Sequence, residues 1–165
     1  MGYDVDIAQL PITALFDLKG SAKAISGWAP GAFPKFARRP NRLTHGDAGT
    51  LCHIGPDHWI LRADLDREGD LEAALRPAAA PAQISIVRIS DTMAFFRIAG
   101  ADAGEVMSIG CPMDLHPAVF PKDGVSFTEF FGVRALVMRA QGGFDLGVEQ
   151  SFAPMIADYL RRATT

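Results

Sequence analysis

The chain has 165 residues, 48% hydrophobic and 21% charged, which suits a globular fold with a sizeable core and excludes a disordered or coiled-coil chain. A formal net charge of −3 is the wrong sign for a nucleic-acid-binding domain, and no apolar run approaches the roughly 18 residues of a membrane-spanning helix. No basic region followed by an apolar run opens the chain, so no secretory signal is expected; Cys52 and Cys111, far apart and outside any C-x-x-C arrangement, suit reduced thiols in the cytoplasm.

In chain order, LFDLKG (15–20) reads as a strand closed by a glycine. The basic run PKFARRPNR, with Lys35, Arg38, Arg39 and Arg42, lacks periodicity and carries prolines, which predicts a solvated loop within 31–47 rather than a phosphate-binding patch. HIGPDHWIL (53–61) predicts a hairpin: Pro56 fixes the φ of a turn and Asp57 bonds its own backbone. REGDLEAALRPAAA (67–80) predicts a helix that Pro77 ends or frays.

FFRIAG (95–100) is a second glycine-closed strand. DAGEVMSIG (102–110) predicts a short helix with Ala103, Val106 and Met107 on one face and Gly110 as its C-terminal cap. VSFTEFF (125–131) alternates, and Gly132 and the 141–143 turn lead through VRALVMRA to FDLGVE, an antiparallel meander. Ser151 then caps a final helix whose residues Phe152, Met155, Ile156, Tyr159 and Leu160 form one apolar stripe, with Pro154 in its first turn and Arg161 and Arg162 in its last.

LFDLKG resembles FFRIAG, WILRA (59–63) resembles ALVMRA (135–140), and the spacing from Gly20 to Arg62 nearly matches that from Gly100 to Arg139. The expectation is a single α+β domain over residues 1–165, duplicated, with mostly antiparallel sheet and packed helices, and with a pseudo-repeat of about 10–90 and 92–163.

Reactive residues concentrate in GCPMDLHPAVF (110–120), where Cys111, Asp114 and His116 follow a helix stopped by Pro112, with one short helical turn expected over MDLHP. No second Cys/His pair lies near enough to complete a zinc site, and Cys111 at a helix C-terminus faces the negative end of the dipole, which disfavours a thiolate. The stretch reads as a connector: Cys111 a small buried hydrophobe, Asp114 bonding backbone N–H groups, His116 capping or packing. His53 and His58 flank the hairpin turn and read as a wet surface pair rather than metal ligands. P-loop, nucleophile-elbow, H-E-x-x-H and dinucleotide fingerprints are absent, so no residue is assigned as catalytic or as a metal ligand, and the cofactor-binding residues are unknown.

RPNRLTHGDAGTLCHIGPDHWILRA (39–63), GCPMDLHPAVF and QSFAPMIADYL (150–160) resemble the gamma subunit family of heterotetrameric sarcosine oxidase. The matching positions are Pro40–Asn41, Gly55, Pro56, Asp57, Trp59, Gly110 to Pro117 and Ser151–Phe152; His53, His58 and Met113 depart from the family pattern. The resemblance implies a fold like the folate-binding N-terminal domain of the glycine cleavage T-protein. It implies an accessory subunit of a complex that oxidatively demethylates sarcosine or a related N-methyl amine. FAD, FMN, NAD and tetrahydrofolate would belong to the complex and not to this chain, and the partners would be alpha-, beta- and delta-like subunits.

Two alternatives remain open on the residues. One is a free-standing tetrahydrofolate or one-carbon binding protein, with Asp57, Glu105 or Glu129 holding a pterin ring. The other is a thiol enzyme using Cys111 and His116.

Overall fold

The structure is a computed structural model describing residues 2–165. It contains ten strands and four α-helices among the described residues, arranged as two five-stranded antiparallel sheets, the α+β class expected. The chain divides into two compact units, one of Ile12–Asp91 and one formed by the segment up to Pro11 together with Thr92–Thr165.

In the Ile12–Asp91 unit the strands are β2 (Thr13–Lys19), β3 (Arg42–Gly46), β4 (Gly49–Gly55), β5 (His58–Asp64) and β6 (Ser85–Arg88), in the spatial order β3-β4-β5-β2-β6. Helix α1 (Ala22–Trp28) starts at Ser21, whose hydroxyl accepts from the Ala24 N–H, and α2 (Glu68–Leu75) follows a 3₁₀ turn over Leu65–Arg67. Ile25, Leu71 and Leu75 from these helices pack with Phe16, Leu18, Trp59 and Leu61 of the sheet. The Trp28 indole N–H donates to the Leu75 carbonyl at 2.7 Å, tying the ends of the two helices together.

The other unit contains β1 (Asp6–Gln9), β7 (Met93–Ala99), β8 (Val125–Phe130), β9 (Val133–Ala140) and β10 (Gly143–Glu149), in the order β1-β7-β10-β9-β8. Helices α3 (Ala103–Gly110) and α4 (Ala153–Ala163) cover its core, with Val106, Met107, Ile156 and Leu160 against Phe96, Ile98, Phe144 and Leu146. Read from β8 inward, the sheet repeats the first one, with β1 in the place of β6. The same glycine closes both arrangements. Gly20 and Gly100 have φ of 134° and 138°, and a Cβ at Gly20 would lie 2.8 Å from Ile84 beside β6, at Gly100 2.4 Å from the Asp4 carbonyl oxygen beside β1.

Several local expectations are corrected. The basic run is not wholly a solvated loop: Arg42 opens β3, and Phe36 packs edge-on to Trp59 with ring centroids 4.8 Å apart. The second helix, by contrast, ends ahead of Pro77 as expected, at Leu75, with Arg76 left-handed at φ 47° and a 3₁₀ turn over Pro77–Ala79, because a residue before proline is driven out of the right-handed helical region. Gly110 is the last helical residue and not a left-handed cap; the position is glycine because a Cβ there would lie 2.9 Å from the Phe131 ring. Ser151 does not cap the final helix; its hydroxyl donates to Glu149 within a 3₁₀ turn over Gln150–Phe152. Of the final apolar stripe, Ile156 and Leu160 are fully buried while Phe152 and Tyr159 each remain 38% exposed, so only its central line reaches the core.

Candidate functional site

The connector between α3 and β8 is ordered by one side chain from the neighbouring strand. Arg139 of β9 donates through Nε to the Phe120 carbonyl at 3.0 Å and through Nη2 to the Leu115 carbonyl. Its guanidinium lies 4.4 Å from the centroid of the Phe144 ring. Its backbone N–H donates to the Gly124 carbonyl, so both backbone and side chain of one residue clamp the stretch. No carboxylate among the described residues shares this charge, and burial lowers the Arg139 pKa from its ordinary value.

Within the connector the three reactive residues part company. Cys111 is buried in the core cluster, 5% exposed. Asp114 and His116 are exposed, and each serves the backbone: Asp114 accepts the His116 N–H at 2.8 Å and His116 Nδ1 accepts the Ala118 N–H at 3.2 Å. The expected helical turn over MDLHP is instead a turn one step later, where the His116 carbonyl accepts from Val119 and Phe120. The cause is proline: Pro117 disfavours the helical region at His116 and, with no N–H, cannot itself donate into such a turn.

The hairpin histidines do not form a wet pair. His53 stands opposite Trp59 in the ladder and stacks on it at 3.8 Å, its Nδ1 at 3.1 Å from the Ala37 carbonyl, 8% exposed. His58 turns instead to Asp17 of β2, with Nε2 at 2.5 Å from Oδ1. Among the described residues no three His, Cys, Asp or Glu side chains gather as a metal site requires. Of the carboxylates considered for a pterin ring, Asp57 lies in a hairpin turn at φ 49°, Glu129 faces Arg134 across the β8–β9 ladder, and Glu105 lies in the first turn of α3. All three are exposed.

Two further features were not legible in the sequence. Arg97 forks onto the buried Asp145 directly opposite it in the β7–β10 ladder, and that bond raises the Arg97 pKa. At the C-terminal ends of α3 and α4, Ile109, Phe131, Tyr159 and Ala163 line an apolar hollow of about 280 Å³ whose fifth member, Arg162, is paired with Asp158 at 2.8 Å. Ile109 and Tyr159 are 46% and 38% exposed there, large apolar side chains left facing solvent on a packed unit.

Comparison with known proteins bears on this arrangement. The family model described as "Sarcosine oxidase, gamma subunit family" matches residues 40–165. No curated protein matches the chain by sequence. Among solved structures, a chain of heterotetrameric sarcosine oxidase from Corynebacterium sp. U-96, in complex with pyrrole 2-carboxylate, superposes with a TM-score of 0.81 at 19% identity, covering 97% of this chain and 83% of that one. The glycine cleavage system aminomethyltransferase T from Bartonella henselae superposes with a TM-score of 0.64 at 15% identity, covering 95% of this chain and 45% of that one. Both share its fold.

Proposed function

The chain belongs to the sarcosine oxidase gamma subunit family, and on that premise we propose that it is an accessory subunit of a cytoplasmic complex that oxidatively demethylates sarcosine or a related N-methyl amine. The observation that carries this reading is the family match over residues 40–165, which takes in the connector, its Arg139 clamp and the final helix. In this role the chain supplies docking surface and the catalytic groups lie on alpha-, beta- and delta-like partners, which also carry the flavins, NAD and tetrahydrofolate. The placement of the reactive side chains supports it: Cys111 is in the core, Asp114 and His116 are engaged with backbone, and Asp145 is tied to Arg97. The hollow at Ile109, Phe131 and Tyr159 supports docking, since exposed apolar clusters of this kind mark contact surfaces. The matching strand orders of the two sheets support reading about 10–90 and 92–163 as a pseudo-repeat.

The test is co-expression of the tagged chain with alpha-, beta- and delta-like chains encoded in the same genome. The expected result is co-elution of a yellow complex that oxidises sarcosine or another N-methyl amine, weakened by Ile109→Glu. Elution of the tagged chain alone, with the other three active without it, would overturn the reading.

A further inference from the structure

A second cavity lies in the unit that contains β7–β10, on the opposite end of α3 from the apolar hollow. It measures about 460 Å³, within the range of small-ligand sites, between the first turn of α3, the connector at Leu115–Pro117 and the start of β10. Three independent features of its wall share one polarity. Arg139 contributes a half-buried guanidinium whose hydrogen bonds go to neutral carbonyls, so its charge has no acidic partner. His116 uses Nδ1 to accept the Ala118 N–H, which in the neutral ring places the proton on Nε2 as a donor. The N–H groups of Gly104 and Glu105 have no backbone acceptor, as in the first turn of any helix, and Asp102, in the capping position, gives its carboxylate to the Asp4 N–H rather than to them.

Gly104, in the first turn of α3, borders the cavity, and a Cβ there would meet nothing within 4 Å. The single carboxylate in the wall, Glu105, is exposed and free to turn to water.

We propose that this cavity binds a small organic anion, held through a carboxylate or phosphate group by Arg139, the Nε2–H of His116 and the free amides of the first turn of α3. The site is carried by this chain alone and does not rest on assembly with other subunits. A carboxylate and a phosphate share the recognition chemistry, oxygen acceptors bearing negative charge, and the test separates them.

The experiment titrates the purified full-length chain with sodium benzoate and, separately, with inorganic phosphate at constant ionic strength, with benzamide as the uncharged control, followed by calorimetry. Saturable binding of one anion, and weaker or no binding of benzamide, is expected; which anion binds identifies the group. His116→Ala, at an exposed position, should weaken binding about tenfold through loss of a charge-assisted hydrogen bond. Gly104→Leu should abolish binding by filling the cavity while unfolding at the same or higher denaturant concentration, leucine being the better helix former. Glu105→Gln should leave binding equal or tighter. Failure of both anions to saturate, equal binding of benzamide, or undiminished binding by a folded Gly104→Leu chain would each overturn the proposal. So would loss of binding in Glu105→Gln, which would require a positive group on the ligand.

Discussion

Replacing Arg139 by alanine tests whether one side chain organises the connector. The change removes two charge-assisted hydrogen bonds, to the Leu115 and Phe120 carbonyls, and the stacking on Phe144. Hydrogen bonds to charged groups contribute about 1.5–3 kcal/mol each when their partners are left dry. Arg139 is only half-buried, so water reaches the released carbonyls and the value nearer 1 kcal/mol apiece applies. Stacking adds about 0.5–1 kcal/mol and the buried stem of the side chain a similar amount, for a total of about 3–4 kcal/mol. Arg139→Lys keeps the charge but cannot fork onto two carbonyls, so it should recover less than half of the loss. Urea unfolding measures the total, and amide exchange locates it: Val119, Phe120 and Gly124, whose N–H groups close the connector's turns, should lose protection while β10 keeps its own. A stability change below about 0.5 kcal/mol, or protection lost evenly across the sheet, would refute the clamp.

Gly110→Ala should destabilise the protein by about 1–3 kcal/mol although alanine is the better helix former, because its Cβ would meet the Phe131 and Phe130 rings at 2.9 and 3.0 Å; a stabilised variant in thermal melts would mean the rings yield freely. Burial pushes the Cys52 thiol from 9.0 up to about 12, against a smaller opposing pull from Arg62. Between about pH 9 and 12 the unfolded chain therefore loses a proton that the folded chain keeps, so stability falls with rising pH by up to about 1.4 kcal/mol per pH unit from this group. Cys52→Ala should remove that part of the slope in denaturant titrations, and an unchanged slope would assign it elsewhere.

The elements with strong local signals were legible from the residues alone. Alternation marked 125–131, the Gly55–Pro56–Asp57 turn marked the β4–β5 hairpin, and the spacing of Ala103, Val106 and Met107 set the buried face of α3. Each depends on side chains a few residues apart, where backbone periodicity determines which ones share a face. What required the tertiary structure is non-local. Asp6–Gln9 has no strand pattern of its own strength, and becomes β1 because β7 offers it an edge, with Asp6 paired to Ala99. Gly110 looked like a helix cap because glycine so often is one, but the cause is an aromatic pair at 130–131 brought back over it. His53 looked like a surface residue until the ladder set Trp59 against its ring. Arg139 stood out only as the counterpart of Arg62 in the repeat, with no sign of a clamp, since its partners lie 19 and 24 residues back in the chain. A hydrogen bond across that distance depends on where two segments come to rest, and the intervening β8–β9 turn decides that through the packing of the whole sheet.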